Sequence, residues 1–241
     1  MKKFTMSIAA AWGLLLILSS AAMGHVPIIE IDDFTQENPL VLAETVEKSI
    51  AVYAWLESED DVDFANFDLR YGERVFVSTL VPRCDCYADF LPYFAVAGPG
   101  LQKSSSMDDY PIYTLTQYKE LYGDGYPEEL EFFDTSSDPE NEYDGVLIVP
   151  NVGPFDERED FFEFFAHKWY YGGPDFDMYP ELAGTYRIFV WEPNGNSGDY
   201  VLEIGKKEMW PLKDVIRTFF VILPWLIFNG EIHNDGCNPR F

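Results

Sequence analysis

Three groups of residues in this sequence could do chemistry: a trio of histidines, a run of carboxylates and an odd set of cysteines. His25, His167 and His233 are the only histidines in the 241-residue chain. Imidazole nitrogen suits copper and zinc, and copper(II) favours nitrogen ligands in tetragonal geometry. Glu163 stands four residues before His167, so the two share a face if that segment is helical. A transition-metal centre of His25, Glu163, His167 and His233 needs the start, middle and end of the chain to converge. Domain termini do often lie close together. The zinc-protease signature, two His bracketing a Glu, is absent. The competing reading is three scattered surface histidines.

Glu59, Asp60, Asp61 and Asp63 crowd one turn. Calcium takes six to eight oxygen ligands and uses carboxylates near loops, so this run is a candidate calcium site. It is not an EF-hand, because the required Gly and terminal Glu are missing at their offsets. A solvated acidic turn is the plainer alternative. Cys84, Cys86 and Cys237 make an odd count, which in an exported chain leaves one thiol free, intermolecular or metal-bound. A Cys84–Cys86 bridge closes a very small loop. A bridge from Cys237 to either would staple the tail to the domain, and this pairing is the slightly favoured one. Two Cys around one residue could also hold copper(I). No G-x-S-x-G elbow and no phosphate-binding glycine loop is present, so the sequence leans away from an enzyme.

The elements that must position these groups read as strands. Ile50, Val52 and Ala54 alternate with Ala51, Tyr53 and Trp55. The same period of two runs through Asp63–Leu69, Arg74–Val81 and Tyr93–Ala97. Before them, Val26–Val46 is a lead-in with an acidic cluster, Glu30, Asp32 and Asp33. Late in the chain, Tyr186, Ile188 and Val190, then Tyr200, Leu202 and Ile204, predict one β-hairpin over Gly184–Gly205. Gly145–Val149 predicts a short buried strand. Asp156–Trp169 fits a short helix or a strand pair. Leu101–Asn141 is polar and irregular, with a short strand allowed at Tyr110–Tyr118. The predicted fold class is all-β. It is a jelly-roll-like β-sandwich with a long irregular insertion, about 101–183, and a C-terminal apolar helix.

Residues 1–24 read as a signal peptide: Lys2-Lys3, an apolar Ile8–Leu18, then small residues. Cleavage after Gly24 makes His25 the mature N-terminus, whose amine would join its imidazole on a metal; cleavage after Ala21 or Ala22, or retention as an anchor, also fits. The sandwich domain spans 25–205, and 206–241 is an apolar helix with a polar tail. Val215–Phe228 is almost wholly apolar but its fourteen residues fall short of the roughly twenty that span a bilayer. It suits docking on the core, or membrane contact at the interface with Trp225 as anchor. The chain carries 42 acidic against 16 basic residues, net −26. Such a field repels phosphates and excludes nucleic acid as a partner.

The stretch Glu59-Asp60-Asp61-Val62-Asp63-Phe64-Ala65-Asn66-Phe67, followed by Gly72-Glu73-Arg74-Val75, resembles the bacterial pre-peptidase C-terminal domain. It is similar also to the related collagen-binding domains of collagenases. The strand to Gly98-Pro99-Gly100 and the hairpin look like that fold, and Leu101–Ala183 departs from it. The resemblance implies a jelly-roll sandwich that binds other macromolecules, sometimes with calcium, and does no chemistry. A narrower likeness, to uncharacterised exported proteins, rests on His25-Val26-Pro27, Phe162-Glu163-Phe164-Phe165 and Ile232-His233. The expected function is an exported, surface-associated, non-enzymatic binding or adhesion module, calcium-assisted. Its expected partner is an extracellular protein or polysaccharide, and its place is secreted or at the cell surface, with a membrane anchor in one version. The alternative is a copper protein built on His25.

Overall fold

The structure is a computed structural model that describes residues 24–57, 60–101, 111–133, 145–151, 158–163, 166 and 168–228. The alternating runs form two six-stranded sheets. The first orders β1 (Val26–Ile29), β3 (Ile50–Leu56), β12 (Gly198–Ile204), β5 (Val75–Pro82), β10 (Lys168–Met178) and β9 (Asp160–Glu163). The second orders β2 (Leu40–Leu42), β4 (Val62–Leu69), β11 (Gly184–Trp191), β6 (Tyr93–Ala97), β8 (Val146–Val149) and β7 (Tyr113–Thr114). The chain is thus an all-β sandwich. Val52, Ala54 and Leu56 of the first sheet meet Ala65, Phe67 and Leu69 of the second in the core between them. Burial of these faces is the main stabilising term.

The segment Gly184–Gly205 is not one hairpin. β11 pairs with β4 and β6 in the second sheet, whereas β12 pairs with β3 and β5 in the first. The loop between them is an arch that carries the chain from one layer to the other. Alternation reports which face of a strand is buried, and both a hairpin and an arch satisfy it. Tyr186 anchors the arch's first arm: its hydroxyl donates to the Pro99 and Leu182 carbonyls at 2.5 and 2.7 Å.

The span read as an irregular insertion supplies sheet strands. β7, β8, β9 and β10 all lie within it. Asp156–Trp169 resolves toward the strand pair, since β9 pairs antiparallel with β10. The pattern was hard to read because β10 breaks register between Gly172 and Asp175. There the backbone of Gly173 presses on β5, and a Cβ at Gly173 would lie 2.4 Å from Thr79 Oγ1. Two helices cover the outer face of the second sheet. α1 (Leu115–Tyr122) starts at a capping box of Thr114 and Gln117, and α2 (Glu129–Phe133) follows. Leu115, Tyr118 and Leu130 pack there against Phe64, Phe189 and Trp191.

The apolar tail is helical as expected. It runs as α3 (Leu212–Arg217), a π-helical turn (Thr218–Ile222) and α4 (Leu223–Phe228). No helix among the described residues is long and apolar enough to cross a membrane. Cys84 bridges Cys86, with Cα atoms 5.3 Å apart, rather than either one reaching toward the tail. Cys84 caps a single 3-10 turn, Asp85–Tyr87, and that tight turn brings the two together. Cys237 lies outside the described residues, as does the signal segment up to Met23.

Candidate metal centre

β1 ends at Ile29, and the next residue, Glu30, is a buried carboxylate, 1% exposed. From there the chain crosses from the first sheet to β2 in the second. Backbone N–H groups hold Glu30 in place: Phe34 donates to Oε1 at 3.1 Å and Trp55 to Oε2 at 2.9 Å. The crossing is tied to β4 by the Phe64 N–H, which donates to the Phe34 carbonyl at 2.7 Å. On β4, period two turns Asp63 inward with Ala65 and Phe67. Its Oδ2 accepts the Tyr200 hydroxyl of β12 at 2.5 Å. Its Oδ1 is buried with no hydrogen-bond partner.

Glu30, Asp33 and Asp63 each place a carboxylate oxygen within 4.8 Å of the others. Burial pushes the Glu30 carboxyl up to about 7, against the two N–H donors that favour its charge. Burial and the Glu30 charge push the Asp63 carboxyl well above its ordinary value. Asp33 is raised by burial and by the charge of Glu57. Asp61 is raised by burial despite accepting the Glu57 N–H at 2.5 Å. The groups that act most strongly on these four acids are other acids, backbone N–H groups and the Tyr200 hydroxyl. Like charges this close in a buried site need a proton or a cation between them. The donor set is all oxygen and comes from two separate segments, which fits a hard cation such as calcium. The orphaned Asp63 Oδ1 is the specific sign of fit.

The acidic run read from the sequence is only partly brought together with this cluster. Asp63 belongs to it and Asp61 stands beside it. Asp60 instead lines an acidic groove with Trp191 and Glu128. Glu59 lies outside the described residues. Glu30 and Asp33 were visible in sequence as an acidic cluster. Nothing in their spacing tied them to Asp63, because that tie runs through the parallel pairing of β1 with β3 and the crossing to the other sheet.

The second group sits on the outer face of the first sheet. His25 Nε2 lies 3.0 Å from Glu203 Oε1, and Nδ1 lies 2.5 Å from Ser49 Oγ. Burial lowers the His25 pKa, but the Glu203 hydrogen bond and the charges of Glu203, Glu163 and Glu208 outweigh it, so the net shift is upward. Glu163, the other expected ligand among the described residues, is buried and accepts the Ala166 N–H at 2.6 Å. The structure thus brings Glu163 within electrostatic reach of His25. His167 and His233 lie outside the described residues. A copper ion on His25 would have to displace Ser49 or Glu203. The row Ser49–His25–Glu203 has the atom types of a hydrolytic triad, and sequence reasoning missed it because Ser49 is 24 residues from His25. Ser49 is only 3% exposed, which shuts its hydroxyl off from a substrate. Beside His25 and Glu203 opens a cleft of about 670 Å³, edged by Asp160, Asp175 and Lys206.

No family model matches the sequence, and no curated protein matches it. Among solved structures the chain is similar to PliG of Aeromonas hydrophila, a periplasmic inhibitor of g-type lysozyme. Identity there is 11%, covering 74% of this chain and 97% of that one, with a TM-score of 0.33. PliG of Salmonella Typhimurium gives 15% identity over 70% and 98%, TM-score 0.29. CorA, a surface-associated copper-binding protein of Methylomicrobium album BG8, gives 9% over 76% and 99%, TM-score 0.30. At these scores the likenesses carry nothing about this chain's ligand.

Proposed function

We propose that the chain is an exported, surface-associated, non-enzymatic binding module whose Glu30–Asp63 end is set by a calcium ion. The observation that carries this is Asp63 Oδ1: a buried carboxylate oxygen, unpartnered, beside two further carboxylates. Glu30, Asp33 and Asp63 would hold the ion. Bound there, it neutralises the cluster and ties the crossing after β1 to the start of β4, so that the loops at this end keep one arrangement. Pre-ordered loops bind a partner at lower entropic cost. The likeness to pre-peptidase C-terminal domains supports an extracellular protein or polysaccharide as that partner. Strong net negative charge disfavours nucleic acid.

Thermal melts in calcium and in EDTA test the reading. A ligand at about a hundred times its Kd adds about 2.7 kcal/mol. For a chain of this size that raises Tm by roughly 5–10 °C. The shift should saturate with calcium. Identical melts in millimolar calcium and in EDTA would sink the reading.

A further inference from the structure

The C-terminal helix is docked inside out. Two of its polar residues face the sheet: Asp214 is 8% exposed and Thr218 is 1% exposed. The Asp214 carboxylate takes the Lys48 ammonium at 2.5 Å, with Glu44 at 2.7 Å on the same nitrogen. Ile222 packs on Ile29, Tyr53 and Tyr170, with Trp210 and Trp225 against the same cluster. These contacts fix the helix's rotation. They leave four of its apolar residues outward: Leu212 is 74% exposed, Ile216 51%, Phe220 78% and Val221 56%. A helix on the surface of a globular domain normally does the reverse.

The outward face also has the wrong charge for this protein. Lys213 and Arg217 lie on it, both exposed, among Leu212, Ile216, Phe220 and Val221. No acid shares the stripe, in a chain with 42 acidic residues and 16 basic ones. Lys213 also pairs with Glu44 at its edge. Apolar side chains interleaved with cations on one helical face suit the boundary between acyl chains and anionic headgroups. A twofold contact with a second copy would instead set these cations against each other.

We propose that this face lies flat on a bilayer containing anionic lipid. Leu212, Ile216, Phe220 and Val221 enter the acyl boundary, and Lys213 and Arg217 meet lipid phosphate. The proposal rests on the exported, surface-associated reading and is independent of the calcium ion.

Co-sedimentation of the full chain tests it, with phosphatidylcholine vesicles against vesicles holding about 30% phosphatidylglycerol. EDTA is present throughout, so that no cation bridges the acidic surface to lipid. Wild type should partition more strongly onto the anionic vesicles. The double variant Ile216→Asp/Phe220→Asp should lose about tenfold or more in partition, because two exposed apolar anchors are gone. Lys213→Glu/Arg217→Glu should erase the preference for anionic lipid. All four positions are exposed; because Lys213→Glu also removes the ion pair with Glu44, the fold of each variant is checked by its circular dichroism spectrum rather than by an unchanged melt. Partition carried by other parts of the chain is common to every variant, so equal partition of wild type and the aspartate variant overturns the proposal. A dimer that Phe220→Asp dissolves in the absence of vesicles overturns it too, in favour of a second copy. A calcium shift that survives these changes shows that the calcium reading stands or falls separately.

Discussion

Asp63→Asn stabilises the calcium-free protein at pH 8 and abolishes its response to calcium. Both effects come from one oxygen for nitrogen exchange. Asparagine keeps a carbonyl oxygen to accept the Tyr200 hydroxyl, now donated at 2.5 Å to Oδ2. Its amide donates where Oδ1 stands unpartnered, toward the Glu30 carboxylate that shares the site. One buried charge disappears, and with it the repulsion that burial aggravates. The expected gain without calcium is about 1–3 kcal/mol, the range for satisfying a buried polar group. The cost falls on the cation, which loses a charged ligand from a three-carboxylate set. Affinity should drop about a hundredfold or more, on the logic that ligand charge count tunes calcium sites. If Asp63 were instead half of a stabilising ion pair, the same change would destabilise the protein in EDTA. Melts of both proteins in EDTA and in calcium separate the two cases by sign.

In EDTA, stability falls as pH rises from about 4.5 toward 8. Glu30 has a folded-state pKa of about 7, raised by burial from 4.5. The folded protein therefore holds that proton more tightly than the unfolded chain does. The contribution is fully present below the unfolded value and is lost as pH climbs through the folded one. A shift of that size is worth about 3 kcal/mol, or about 6–12 °C of Tm. Asp63, raised further by burial and by Glu30, acts in the same direction. His25, whose acidic neighbours outweigh its burial, adds to the fall above its unfolded value of 6.5. Acids held low work the other way but only at lower pH. Hydrogen bonds from Lys213 and Lys48 take Glu44 down to about 2. Its contribution is present above 4.5 and is lost as pH drops from there through about 2. Calcium should restore the part that Glu30 and Asp63 lose and leave the His25 part untouched. Melts across this pH range, with and without calcium, read the difference.

The strands that build the sandwich were legible because burial of one face imposes period two on the sequence. Tyr93–Ala97 comes out with the very bounds read from its residues. Layer was not legible: Gly184–Trp191 and Gly198–Ile204 alternate correctly and still belong to different sheets. β10 was obscured by Gly172-Gly173-Pro174, where close approach to Thr79 displaced the hydrophobic signal. The candidate site was half legible. Asp63 sits in a recognisable acidic run, but Glu30 and Asp33 reach it through a crossing between sheets, which no local spacing encodes. Glu203 and Ser49 were hidden for the same reason, since each meets His25 across strands. The C-terminal segment showed its apolar content, but not that Asp214 and Thr218 would turn inward and its apolar residues outward.

The most direct measurement is calorimetric titration of calcium into the EDTA-stripped full chain at pH 7, in two buffers of different ionisation enthalpy. The account predicts one ion per chain and release of about one proton per ion, because the cation displaces a proton that burial holds on the Glu30 and Asp63 pair. Asp63→Asn should give no binding heat in the same range. Binding without proton release, or binding that Asp63→Asn leaves intact, would place the ion elsewhere and contradict the account. So would the absence of heat at millimolar calcium.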